Sequence, residues 1–178
     1  MWRALVVAIA LTAPGALAQD STVWSTSTGD VSSTRVYDVV AEQSDDIPAA
    51  IERSVEHMNF IIRPIARHRL RVTNPLPQHL QLDIAPDTIT VHLGDAPPAA
   101  LPRDGSAVPW RSLGGDKCQI SGALAGDTLV EHVISHGGQG ETRYVMLDGG
   151  KRVREDVRIT SSHLPKPVVY SVVFTKAE

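Results

Sequence analysis

The chain has 178 residues, a formal net charge of −3 and a single cysteine. With no basic excess and only 4% aromatic residues, its composition argues against nucleic-acid binding. An intrachain disulfide is excluded, and we expect Cys118 to be a small buried residue in a strand.

The first 18 residues have the three parts of a secretory signal peptide. Arg3 gives a basic start, residues 4–13 are almost all apolar, and Ala16-Leu17-Ala18 is an A-x-A cleavage site. The apolar run is too short to span a bilayer. We therefore expect cleavage after Ala18 and export to a bacterial periplasm or exterior, a compartment that also suits a disulfide-free secreted domain.

The mature chain is expected to begin with a Ser/Thr-rich flexible segment over residues 19–33. Trp24 lies in this segment, and we interpret it as a plug against one end of the following domain. Residues 34–178 are predicted to form one domain, starting with a short strand at Thr34 to Val40.

One long helix is predicted over about residues 46–72. Asp46 supplies an N-cap, and apolar residues recur at helical spacing: Ile51, Val55, Met58, Ile62, Ile65, Ala66 and Leu70. Pro64 lies inside this pattern, so we expect either a kink or two shorter helices.

Three arginines of this helix, Arg63, Arg67 and Arg71, are spaced by four residues and share a face. One hypothesis is a weak site for an anion or a phospholipid headgroup. The alternative is a solvated face that pairs with carboxylates of the strands. The acidic net charge argues against a membrane-surface helix, and we expect no stable membrane insertion.

Short alternating segments predict a sheet over about residues 79–175. Residues 80–84 and 89–93 form a hairpin, residues 94–105 a loop, and residues 108–111 a third strand. Five more strands fill the segment from Lys117 to Thr175, where Gly-rich turns recur. The sequence thus predicts about eight strands, besides the short strand at residues 34–40.

The hairpin around Gly149-Gly150 can be registered from charge. Placing these glycines in the turn sets Arg143 opposite Asp156 and Glu141 opposite Arg158. A turn at Asp148-Gly149 would instead bring like charges together. The favoured register puts alternate residues on one mainly apolar face: Thr142, Tyr144, Met146, Val153, Glu155, Val157 and Ile159.

We therefore predict a mainly β fold: an antiparallel up-and-down barrel of about eight strands, preceded by the Pro-kinked helix. The alternative is an α+β fold with the helix packed across one curved sheet. Two segments, residues 59–70 and 162–170, resemble small exported lipocalin-like (calycin) proteins of proteobacterial envelopes. This resemblance implies a barrel that binds ligands, and it assigns no individual residue.

The predicted inner face contains a polar row. With an even loop at residues 137–140, Glu131 lies beside Tyr144, which lies beside Glu155. With Thr142 and Met146, these five residues are the candidate ligand-binding site. Two buried carboxyls beside a tyrosine would have raised pKa values and could serve as acid and base, although such groups inside barrels are more often binding or structural.

No metal or cofactor is predicted. His132 and His136 would lie roughly 13 Å apart on a strand, too far for one metal ion. We rank three functions: a non-enzymatic exported barrel that binds a small, partly apolar (amphipathic) molecule, a packed barrel with a structural or interaction role, and a carboxylate-dependent enzyme. The sequence names no partner protein.

Overall fold

A computed structural model describes Trp24 and residues 32–178. The predicted signal peptide, residues 1–18, and the predicted flexible segment up to residue 31, apart from Trp24, lie outside the described residues. Within them the chain forms ten strands and two α-helices, in this order: β1 (Ser33–Val39), α1 (Ile47–Val55), α2 (Arg63–Thr73), β2 (His79–Ile84), β3 (Thr88–Leu93), β4 (Ala99–Pro102), β5 (Val108–Arg111), β6 (Lys117–Ala125), β7 (Thr128–Ser135), β8 (Gly138–Leu147), β9 (Arg152–Thr160) and β10 (Val168–Lys176).

All ten strands belong to one antiparallel sheet in the order β4-β3-β2-β1-β10-β9-β8-β7-β6-β5. Consecutive strands are neighbours, except that β1 pairs with both β2 and β10 and the chain skips from β4 to β5. Pairing β1 with the last strand joins the two halves of the sheet. The edges are therefore β4 and β5, where a barrel must be closed by other contacts.

Side chains close the gap between these edges. Leu101 of β4 packs onto Gly122 of β6, where an added Cβ would come within 3.0 Å of Leu101, so glycine permits the close approach. Nearer the other end of the gap, the indole nitrogen of Trp110 donates to the carbonyls of Pro97 and Pro98, both at 3.2 Å. The result is a nearly closed barrel, and the open-sheet alternative is not the fold.

The sequence predicted about eight strands besides the short strand at residues 34–40, so one strand of the ten was missed. The short strand expected near Val36 is β1, a full member of the sheet. The missed strand, β4, lies in the segment predicted to be a loop, residues 94–105. Alanines and flanking prolines conceal this strand, because both have low β-propensity. Only Ala99 and Leu101 face the core there.

Two helices replace the single long helix. Asp46 caps α1 by accepting a hydrogen bond from the Ala49 N–H at 2.9 Å, and α1 ends at Val55. Pro64 lies in the first turn of α2, where its missing N–H costs little. The proline therefore lies at the start of a second helix and does not kink a single long one. Two shorter helices were the second of the two expected outcomes.

The break after Val55 resets the helical phase, so the predicted apolar face holds only in its first half. Ile51, Val55 and Met58 are buried, whereas Ile62 and Ile65 are 50% and 68% exposed. Phe60 and Ile61 are also exposed, and α2 contains no buried residue. In the part of the chain that the structure describes, neither helix is long and apolar enough to cross a bilayer.

The predicted register of the β8–β9 hairpin is confirmed. Tyr144 pairs with Glu155, and Arg143 pairs with Asp156. The charges nevertheless form ion pairs along each strand: Arg143 Nε lies 2.8 Å from Glu141 Oε1, and Arg154 Nε lies 3.0 Å from Asp156 Oδ1. Charge complementarity identified the register correctly, although the individual ion pairs differ from those expected.

The two ends of the barrel differ. At one end Trp24 is 1% exposed, and its carbonyl accepts hydrogen bonds from the Arg103 guanidinium at 3.3 and 3.4 Å. Trp24 therefore packs into the core at this end, as the plug interpretation predicts. The helices occupy the opposite end, where Arg69 of α2 bonds Asp116 at 2.8 Å in the β5–β6 connection.

Candidate functional site

The inner faces of β7 to β10 carry four polar side chains at mid-barrel. These are Glu131 on β7, Tyr144 on β8, Glu155 on β9 and Tyr170 on β10, all less than 9% exposed. Each lies on the inner face because alternate residues of its strand face the core. We call this group, with Thr142, the polar wall.

One detail of the predicted row was wrong. Glu131 pairs with Thr142, and Leu129 pairs with Tyr144, because the β7–β8 turn is centred on His136-Gly137 and not on residues 137–140. The shift along β8 is two residues, so every side chain keeps its face. Glu131 is therefore a diagonal neighbour of Tyr144, two strands away from Glu155.

The two carboxyl groups are deeply buried: Glu131 is 7% exposed and Glu155 is 3% exposed. Burial disfavours their ionised forms and raises the pKa of Glu131 to about 7. Burial, with repulsion from Glu131 and Asp156, raises the pKa of Glu155 to about 8. Among the described residues, Glu155 Oε2 has no hydrogen-bond partner.

The tyrosines complete the wall. Tyr144 is 1% exposed, and burial together with Glu131, Glu155 and Tyr170 raises its pKa well above the usual value. Burial and the nearby Glu155 also raise the pKa of Tyr170. Both hydroxyls therefore stay protonated at neutral pH and keep their donor hydrogens.

The Tyr170 hydroxyl links the wall to the helices. It donates to Asn74 Oδ1 at 3.2 Å, and Asn74 is the C-cap residue of α2. The Asn74 amide in turn donates to the Leu70 carbonyl at 2.9 Å. A helix terminus is thereby fixed against the barrel interior.

The remaining predicted ligand-binding residues, Thr142 and Met146, also face inward. Thr142 is half-buried, and Met146 is 6% exposed. The Tyr37 hydroxyl approaches Met146 Sδ at 3.9 Å and donates to the Gly150 carbonyl at 3.1 Å. All five residues predicted as a ligand-binding set thus face one interior.

Sequence reasoning missed the contributions of β1 and β10. Tyr170 could have been placed by extending the hairpin register one strand further, to its partner Val157. Arg35 pairs with the fully buried Leu82 and so takes the inner side of β1. There it opposes the burial that raises the pKa of Tyr37. The alternation of residues 34–40 could have placed Arg35, but the sequence left open which residues of this strand face inward.

Opposite the polar wall, β2, β3 and β4 present only hydrocarbon to the interior. Their inward residues are between 0% and 4% exposed: Leu80, Leu82, Ile84, Ile89, Val91, Ala99 and Leu101. We call these residues the apolar wall. The barrel interior is therefore amphipathic, with hydrocarbon on one side and carboxyl and phenol groups on the other.

The three arginines proposed as an anion site are engaged within the chain. Arg67 Nε and Arg71 Nη2 both contact Glu52 Oε1, at 2.6 and 3.0 Å. Arg63 donates instead to the Met58 carbonyl at 2.9 Å. Arg67 and Arg71 do converge on an anion, but this anion is the Glu52 carboxylate of α1. The alternative had proposed carboxylates of the strands.

Other candidate chemistry is dispersed. In the described part of the chain, no three His, Cys, Asp or Glu side chains are grouped so as to hold a metal ion. His132 lies 3.9 Å from Glu141 on the outer surface. Cys118 is buried in β6, as expected, and burial raises the pKa of its thiol.

Comparison with known proteins identifies the fold. No protein-family model and no curated protein sequence matches the chain. Solved structures do match: fatty-acid-binding protein 1 of Echinococcus granulosus, with a TM-score of 0.53 and 11% identity, covers 81% of this chain and 96% of its own. Lipid binding protein 8 of Caenorhabditis elegans has a TM-score of 0.54 and 10% identity, covering 80% and 94%.

A third match is the fatty-acid-binding protein from brain tissue of Drosophila melanogaster, with a TM-score of 0.50 and 14% identity, covering 83% of this chain and 99% of its own. Identities this low establish the fold alone. The chain therefore has a calycin-like fold: ten antiparallel strands in a nearly closed barrel, with a helix-turn-helix segment between the first two strands.

Proposed function

We propose that this chain is an exported bacterial protein that binds a small, partly apolar molecule inside its barrel and has no catalytic role. The observation that carries the proposal is the polar wall, in which two carboxyl groups are buried and one carboxyl oxygen has no partner among the described residues. A barrel core that served only for stability would be better filled with hydrocarbon, because each unpaired buried polar group costs about 1–3 kcal/mol.

An amphipathic ligand suits this interior. Its hydrocarbon part would lie against the apolar wall, and its polar part would satisfy groups of the polar wall. Ligand sites in proteins typically combine mostly apolar walls with a few placed polar groups. The structural neighbours are named as fatty-acid-binding and lipid-binding proteins, which supports a ligand of this general kind.

Export is part of the proposal and rests on the sequence. Residues 1–18 carry the basic start, apolar run and A-x-A site of a signal peptide. We propose a periplasmic or secreted location and cleavage after Ala18. Mass spectrometry of the protein purified from its own envelope would give the mature N-terminus directly, with Gln19 as the expected first residue.

Native mass spectrometry of the same preparation tests ligand binding. A discrete non-covalent adduct that is lost on denaturation is the expected result. The matched control is the chain after unfolding, solvent extraction and refolding, which should show the bare mass. A bare chain mass in the native sample, with nothing extractable by solvent, would contradict the proposal and favour a packed barrel that acts through its outer surface.

A further inference from the structure

We propose that the polar group of the ligand is a cationic hydrogen-bond donor, of the alkylamine class, and that Glu155 and Glu131 receive it in the barrel interior. This inference rests on the proposed function, since it names the substrate class of the same site. It departs from the fatty acids and lipids after which the structural neighbours are named.

The first argument is the unpartnered acceptor. Glu155 is 97% buried, and its Oε2 atom has no hydrogen-bond donor in the described residues. The side chain lies on the inner side of β9, between Tyr144 on β8 and Val172 on β10. An ionised carboxylate only accepts hydrogen bonds. A ligand group that pairs with the ionised form of Glu155 must therefore be a donor.

The second argument is the lack of a cation paired with either buried carboxyl group among the described residues. Neither Glu131 nor Glu155 takes part in an ion pair among the described residues. On β9 itself, Arg152 and Arg154 pair with other carboxylates on the outer surface. A buried carboxylate without a countercharge is unfavourable, and a ligand ammonium would provide that countercharge.

The charged and titratable groups around the pair reinforce this preference. Toward Glu155 these are Glu131, Tyr144, Tyr170 and Asp156, all acidic groups. Arg35 is the cation on the inner side of β1, and its influence is on Tyr37 and not on either glutamate. A ligand carboxylate would add another negative charge to this acidic set, whereas an ammonium would bring a positive charge and three N–H donors to the carboxylate oxygens of Glu131 and Glu155.

Proton linkage gives the inference a pH signature. In the free protein the pKa values of Glu131 and Glu155 are about 7 and about 8, so both are largely neutral at pH 6. An ammonium favours the ionised carboxylate, and its binding must then expel a proton. Amine affinity should therefore rise from pH 6 to pH 8.5, by up to about tenfold per pH unit for each proton released.

The test uses three probes with the same hydrocarbon chain: dodecylamine, dodecanoic acid and dodecan-1-ol. Binding to the mature protein is measured by isothermal titration calorimetry at pH 8. The expected order places dodecylamine at least about tenfold tighter than dodecanoic acid. Glu155→Gln and Glu131→Gln should each weaken amine binding about tenfold and change alcohol binding less than about threefold. Glu141→Gln, the same change on the outer face, should leave all three unchanged.

Two outcomes would overturn the inference and leave ligand binding intact. These are dodecanoic acid binding as tightly as dodecylamine, and amine binding that is unchanged in Glu155→Gln. Failure of the folded wild-type protein to bind any probe would instead contradict the proposed function. If a variant does not fold, the wild-type pH profile decides, because amine affinity that stays flat between pH 6 and pH 8.5 would also overturn the inference.

Discussion

The two walls of the barrel are built from the same strand geometry but differ in what they contribute. The apolar wall on β2 to β4 is continuous hydrocarbon, so each fully buried Leu or Ile stabilises the fold by about 1.5–3 kcal/mol. The polar wall on β7 to β10 buries Glu131 and Glu155 without a paired cation among the described residues, which lowers stability. The apolar wall therefore contributes most to stability, whereas the polar wall supplies the groups that we propose bind the ligand.

The largest effect is expected on the apolar wall. Leu82 is 0% exposed, so Leu82→Ala should lower the free energy of unfolding by about 3 kcal/mol through lost burial and a residual cavity. Urea denaturation measures the change. Ile134→Ala, on a residue that is 56% exposed, is the control and should cost far less. Equal losses of unfolding free energy in the two variants would contradict the distinction between the buried apolar wall and the outer surface.

On the polar wall, a substitution should have the opposite effect and increase the free energy of unfolding. The folded pKa of Glu155, about 8, lies above the ordinary value of 4.5. The unfolded state therefore ionises first, and stability falls as pH rises from about 4.5 through about 8. Glu155→Gln should raise the free energy of unfolding at pH 8.5, because each unit by which the folded pKa is raised corresponds to about 1.4 kcal/mol, and should change it little at pH 4.5.

Paired urea titrations at these two pH values measure this effect. Glu141→Gln is the control, because Arg143 and other cations lower the pKa of Glu141. Its stabilising contribution is present above about pH 4.5, so this variant should be slightly less stable at pH 8.5. A Glu155→Gln variant that is destabilised at pH 8.5 would show that the carboxylate has a partner in the fold.

A smaller loss is expected where the polar wall meets the helices. Tyr170→Phe removes the hydrogen bond to Asn74 Oδ1 and should cost about 1 kcal/mol. Amide hydrogen exchange should show faster exchange at the end of α2, with β7 unaffected. If protection of α2 does not change, Tyr170 does not hold the helix against the barrel.

The smallest effect is expected outside both walls. Ile65 of α2 is 68% exposed, so Ile65→Ser should change the free energy of unfolding by less than about 0.5 kcal/mol. Thermal unfolding monitored by circular dichroism is sufficient. A loss comparable to that of Leu82→Ala would place Ile65 in the core, as the helical periodicity had predicted.

The sequence predicted the features that depend on local pattern. Period-two alternation located the inner residues of β2, β3 and β7 to β9, and opposite charges selected the register of β8 against β9. It failed where tertiary contacts decide. Strand β4 pairs with β3, and its Leu101 packs on Gly122 across the gap between the sheet edges. Ile65 is exposed because the chain breaks after Val55.

The same division applies to the candidate site: its shared face was predictable from the sequence, and its tertiary neighbours were not. Glu131, Tyr144 and Glu155 were placed on one face because strand parity survives an error of two residues. The exact neighbour of Glu131 was wrong, since it depends on the turn at His136-Gly137. Tyr170, Asn74 and Arg35 were missed, because their positions need the pairing of β10 with β9, the end of α2 and the phase of β1.

The most direct test of the polar wall as a binding site is a carbon-13 NMR pH titration of the glutamate carboxyls in the mature protein, with and without dodecylamine. Glu131→Gln and Glu155→Gln assign the two signals. The structure predicts titration at about pH 7 and about pH 8 in the free protein, and a shift of both to lower pH with the amine. Titration of both near 4.5, with no response to the amine, would contradict a buried, unpartnered acid pair that receives a ligand.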